Sequence, residues 1–208
     1  CLFFFLSWGQ QKTAPATAPA QAKPQIDTSL LGKYRVGVMT KSFGDSIVVR
    51  WAPNQSSFFR QALKSGYLLT RRSVVDNKTT KLDFQETILP WTLDEWLKNA
   101  SRRDTLAAAC SQLVYGKNTP IGATEAVTLD KILEQQNQND LRMMLALVLA
   151  DSHPRYARGM ALGWVDKKVK KGVQYIYYVI PLTDPKTYPV EVAASSVVNN
   201  GPGAPVKM

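Results

Sequence analysis

One histidine, two cysteines and a scatter of carboxylates are the main stock from which this 208-residue chain could build a reactive centre. His153 stands between Ser152 and Pro154. To act as a general base it would need a nucleophile or carboxylate aimed at it. Asp151 and Ser152 are its neighbours, but adjacency in sequence does not point side chains at one another. The competing reading is a cap at a helix start, since Pro154 suits a first helical turn. Cys110 lies on an apolar helical stripe, where a thiol is buried and inert more readily than it is reactive. Asp94, Glu95 and Asp166 could be read as a carboxylate cluster. Asp94 and Glu95 also fall in a predicted first helical turn, where the helix dipole favours negative charge. With one His and two distant Cys, a zinc site of His and Cys ligands is excluded in practice. The chain has no P-loop, GxSxG, HExxH or dinucleotide-binding glycine pattern. The expectation is a non-enzymatic protein with no cofactor and no metal.

The charge balance is the stronger signal. Lys and Arg outnumber Asp and Glu by 26 to 16, a formal charge of +10. Lys167, Lys168, Lys170 and Lys171 surround Val169, and Arg71-Arg72 and Arg102-Arg103 add two pairs. Such patches attract nucleic acid, anionic glycans or lipid headgroups, or are plain solvated surface. No aromatic-interleaved strand or nucleic-acid motif accompanies them, which argues against nucleic acid. Tyr175 and Tyr177 share one face of a strand and Tyr178 takes the other. The candidate ligand-binding residues are therefore Lys167, Lys168, Lys170, Lys171 and Tyr178, with an unknown protein or glycan partner or an anionic surface.

These groups must be positioned by elements that the hydrophobic pattern makes visible. Strand signals cover Tyr34–Thr40, Ser46–Pro53, Gly66–Val75 and Lys81–Leu89, with turns at Ser42–Asp45 and Asp76-Asn77. Four strands in such a short span predict antiparallel pairing. Thr92 with Glu95 forms a capping-box signature for a short helix. Leu106, Ala109, Cys110, Leu113 and Val114 have helical spacing, with Gly116 as stop. Leu141, Met144, Leu145, Val148 and Leu149 repeat it, widened by Met143, Ala146 and Leu147. That stripe predicts a helix packed on several sides, against Leu106, Leu113, Trp96 and Trp164. Strand texture returns at Val173–Pro181 and Val190–Val198. Strands, then helices, then strands imply one β domain interrupted by helices.

The ends differ from this core. Residues 1–9 (CLFFFLSWG) read as the apolar part of a signal peptide, with Ser7 and Gly9 as small residues before a cleavage point. The alternative is that Cys1 is the lipidated residue of a periplasmic or outer-membrane lipoprotein. Residues 10–27 form a linker rich in Pro, Ala and Gln, and residues 199–208 a second linker that could join further modules. No run approaches the roughly 18 apolar residues of a transmembrane helix.

Three of the strand segments, in order, resemble a fibronectin type III domain. Ser46-Ile-Val-Val-Arg-Trp-Ala-Pro53 resembles its second strand, with Trp51 as the core aromatic. Gly66-Tyr67-Leu-Leu-Thr-Arg-Arg72 resembles the third, with Tyr67 inward. Val169-Lys-Lys-Gly172-Val-Gln-Tyr175 resembles the corner in which a Tyr hydroxyl ties back to backbone at the start of strand F; Val169 and Lys171 replace the usual Leu and Pro. The resemblance implies a mainly β, Ig-like antiparallel sandwich over residues 28–198. An ordinary sandwich of this class needs about 100 residues, so a helical insertion of about 70 is expected at residues 92–164. The phrases Leu89–Trp96, Ser111–Gly116 and Ala161–Asp166 look like those of secreted bacterial fibronectin-like proteins with helices before strand F. What this implies is a secreted or cell-surface binding, adhesion or spacer module, or else the accessory domain of a secreted multidomain hydrolase.

Overall fold

Alternation of buried and outward residues defines β1 (Val36–Ser42) and β2 (Ile47–Pro53), the latter burying Ile47, Val49 and Trp51 on one face. They pair antiparallel, and β5 (Gly163–Asp166) pairs with the free edge of β2, Asp166 opposite Ile47. A second sheet runs β4–β3–β6–β7, from β3 (Tyr67–Val74), β4 (Thr80–Ile88), β6 (Gln174–Pro181) and β7 (Ala193–Val198), all antiparallel. This computed structural model describes residues 33–76, 79–100, 103–116 and 129–200. The signal-like residues 1–9, the linker 10–27, Asn77, Arg102 and everything after Asn200 lie outside the described residues.

The two sheets face each other across one core. Val36, Ile47, Val49 and Trp51 from the three-stranded sheet meet Tyr67, Leu69, Tyr175, Tyr177 and Val179 from the four-stranded one. Trp51 is only 2% exposed and its ring lies 5.6 Å from that of Tyr67. The fold is thus a β-sandwich with substantial helical content.

Five helices are described: α1 (Ser56–Ser65), α2 (Leu93–Asn99), α3 (Thr105–Tyr115), α4 (Leu129–Ser152) and α5 (Pro154–Gly159). The predicted capping box is present: Thr92 Oγ1 accepts from the Glu95 N–H at 3.3 Å, and Glu95 Oε2 accepts from the Thr92 N–H at 2.8 Å. α1 has no counterpart in the sequence reading. It buries Phe58, Phe59, Ala62 and Leu63 on one face, and Gly66 at φ +79 ends it. A Cβ there would stand 2.8 Å from the Ile88 carbonyl oxygen, so only glycine fits without strain.

A second core, made mostly by helices, joins Phe59 and Leu63 of α1 to Trp96, Ala107, Cys110, Ala146, Ala150, Tyr156 and Met160. Arg50 of β2 locks this layer to the sandwich. Its guanidinium donates to the Ala150 carbonyl at 2.6 Å and to Asp151 at 2.7 Å, at the C-terminal end of α4 where a cation is favoured. Among the described residues no helix is long and apolar enough to cross a membrane.

Two expectations need correction. Gly163 and Trp164, assigned by sequence to the helical insertion, are strand residues of β5, and Trp164 packs on Phe84 rather than on α4. Four of the five stripe residues of α4 face outward: Leu141, Met144, Leu145 and Val148 are 53%, 53%, 41% and 59% exposed. The face turned inward is that of Ala146 and Ala150, with Met143, Leu147 and Leu149 at its flanks. Small side chains let the α4 backbone approach its neighbours closely, and the larger residues are left outside. Leu106, one of the expected partners, is itself exposed.

The same close packing gives a test at Gly159, whose Cβ would come within 2.4 Å of the Trp96 ring and 2.7 Å of that of Trp91. Gly159→Ala is expected to destabilise the protein by about 1–3 kcal/mol, as overpacking does. A melting temperature equal to wild type would show that the two tryptophans yield freely.

Candidate functional site

The chemistry-bearing side chains are mostly committed to holding the fold. His153 caps α5: its Nδ1 accepts from the Arg155 N–H at 3.1 Å, with Pro154 in the first turn. Cys110 is wholly buried, and burial pushes its thiol up to about 12, leaving almost no thiolate near neutrality. Asp94 and Glu95 are exposed on α2, while Asp166 is buried at the end of β5, so these three form no cluster. Among the described residues no group of His, Cys, Asp and Glu could hold a metal ion.

Asp104 caps α3. It accepts from the Ala107 N–H at 2.9 Å, from the Tyr156 hydroxyl at 2.9 Å and from Arg155 at 2.6 Å. The Ala107 bond, helped by Tyr156 and Arg155, holds its carboxyl below the usual carboxylate range. A carboxylate depressed in the folded state stabilises fully above its unfolded pKa, about 3.9, and loses that contribution as pH falls through the folded value. The melting temperature is therefore expected to drop below about pH 4, and Asp104→Asn to flatten part of that limb. An acid limb identical in the two proteins would refute the role of this cap.

Asp166 is the centre of the most connected polar group. It is 3% exposed and accepts from Arg71 at 2.6 Å, from the Tyr177 hydroxyl at 2.9 Å and from the Lys168 N–H at 2.9 Å. Burial first, and then the Asp166 charge, push the Tyr177 phenol far above its ordinary pKa, so it stays a donor. Arg71 also bonds Asp83 at 3.2 Å and the Lys168 carbonyl at 2.7 Å, and stacks on Phe84 and Tyr175. Burial works against its charge, but the Asp166 hydrogen bond and attraction outweigh it and its pKa lies above normal. By sequence Arg71 belongs to a basic patch; in the fold it is 8% exposed and neutralised by Asp166 and Asp83.

This group fixes the loop that carries the four lysines. The Lys168 backbone is held at both its N–H and its carbonyl. The Lys170 N–H donates to the Tyr175 hydroxyl at 2.8 Å, and Gly172 turns at φ +78 in open space. Asn199, which the sequence reading put in the tail, is completely buried. Its side-chain NH2 donates to the carbonyls of Lys170 and Gly44, and its Oδ1 accepts from Ser42. One amide thereby pins the lysine loop beside the β1–β2 turn. Periodicity could not reveal it, because the partners lie 155 and 29 positions away.

Lys167, Lys168, Lys170 and Lys171 are all exposed. Among the described residues none of their ammonium groups has an ion-pair partner. Tyr178 is not brought to them. It lies half-buried on the outer face of β6, opposite Thr70 and Ala194, roughly 13 Å along the strand from Gln174. The four lysines thus share one loop, and Tyr178 lies apart from it. Compared with protein-family models and with curated proteins, the chain matches none.

Proposed function

We propose that this protein is a non-catalytic binding or spacer module of the fibronectin type III type, displayed outside the cell. The sheet order β1–β2–β5 against β4–β3–β6–β7 supports the fold part of this reading, as does the Tyr175 hydroxyl bonded to backbone five residues upstream. The helices from α2 to α5 lie between β4 and β5 as an elaboration of that sandwich.

The observation that carries the functional part is the division of labour among charged groups. The side chains of Asp166, Arg71, Asp104 and His153 each hold the fold, while the ammonium groups of four lysines on a pinned loop have no ion-pair partner among the described residues. A basic loop with a pinned backbone is suited to recognition, because little backbone conformational entropy remains to be lost on contact. Purified full chain assayed against glycosidase, esterase and peptidase substrates is expected to show no turnover. Turnover abolished by His153→Ala would overturn the reading.

A further inference from the structure

Two apolar side chains share the end of the sandwich that carries the lysine loop. Phe43, in the β1–β2 turn, is 44% exposed, and Val75, where the chain leaves β3 toward β4, is 65% exposed. The register puts them at that end: Ser42 pairs with Ile47, Ile47 with Asp166, and Ser73 with Tyr175. Asn199 bridges the Phe43 turn and the lysine loop directly, bonding Gly44 and Lys170. Lys41 adds a fifth cation, its ammonium 5.3 Å from the Phe43 ring centre. The opposing charges in these turns are Asp45 and Asp76. Asp45 is engaged by Ser46 and Asp76 by the Thr79 N–H.

We infer that this end docks on an anionic phospholipid bilayer, with Phe43 and Val75 entering the headgroup boundary and Lys167, Lys168, Lys170 and Lys171 meeting the lipid phosphates. Apolar tips at the same end as a lysine loop match such a surface, where buried apolar area and attraction to anionic lipid act together. A soluble acidic polymer would use the lysines and leave Phe43 and Val75 without a role. The inference rests on the reading of the protein as a binding module and names the partner of that same loop.

Each lysine held near an anionic surface is worth about fivefold in affinity. The 208-residue chain is tested by cosedimentation with vesicles of phosphatidylcholine and phosphatidylserine, and with phosphatidylcholine alone. All variants carry the same residues 1–9, so differences between them report on the docking end. Reversing Lys167, Lys168, Lys170 and Lys171 to Glu is expected to weaken binding to the mixed vesicles at least a hundredfold. Phe43→Ser with Val75→Ser is expected to weaken it several-fold, and neither set to lower the melting temperature. The paired variants Lys167→Glu/Lys168→Glu and Lys170→Glu/Lys171→Glu stand in if the fourfold reversal fails to fold.

Three results would overturn the inference. One is equal binding to neutral vesicles by all forms. Another is no effect of lysine reversal. The third is lysine dependence without any effect of Phe43 and Val75, together with equal retention on dextran sulfate, which would mark a polyanion site instead. None of these bears on the turnover assay, so failure here and failure of the module reading are separable.

Discussion

Replacing Asp166 with alanine is expected to remove about 3–5 kcal/mol of folding stability, because it leaves the Arg71 guanidinium buried without its main counter-charge. The carboxylate also receives the Tyr177 hydroxyl and the Lys168 N–H, so three donors lose an acceptor together. Asp83 remains on Arg71 at 3.2 Å and sets the lower end of the range. Replacing the ion pair by apolar groups, Arg71→Met with Asp166→Leu, is expected to cost less than the sum of the single changes, since no charge is then stranded. Urea denaturation of the two single variants and the double variant measures the coupling. A loss below about 1 kcal/mol for Asp166→Ala would mean that solvent reaches Arg71 and the group does not organise the loop.

The second large effect is expected at Trp51. Truncation to alanine removes the bulkiest side chain between the sheets and is expected to cost about 3–5 kcal/mol. Trp51→Phe is a milder change for a specific reason. The indole N–H meets no acceptor among the described residues, and an orphaned buried donor costs about 1–3 kcal/mol. Phenylalanine gives up packing volume and also removes that donor, so a net loss under about 1.5 kcal/mol is expected. Thermal melts of both variants decide the matter. An unchanged midpoint for Trp51→Ala would place the ring outside the core that defines the sandwich.

Much of this architecture is legible in the amino-acid sequence. Six strands, the Thr92–Glu95 capping box and the stops at Pro53 and Gly116 all follow from signals a few residues long. Such signals survive folding because their partners are local: a cap bonds an N–H three residues on, and a strand's alternation needs only one buried face. The same locality explains the misses. β5 is four residues long and carries no period of its own; it becomes a strand because the edge of β2 is free. α1 is brief, and its two adjacent phenylalanines read as apolar texture until Gly66 and the sheet beneath define a helix.

What the amino-acid sequence determined by itself is the alternation of strand and helix, the shortage of catalytic groups and the strong positive charge. The tertiary structure alone decided which face of each element meets the core and which charges are consumed. Leu141, Met144, Leu145 and Val148 have ideal helical spacing, yet the alanine face of α4 is buried because it permits the closer approach. Arg71 looked like half of a surface pair, but Asp166, 95 residues later, neutralises it inside the sandwich. Asn199 joins two loops that the chain keeps far apart. The physical reason is common to all three. Propensity and periodicity act over a few residues, whereas burial and ion pairing depend on which distant surfaces meet, and that is settled only when the chain closes on itself.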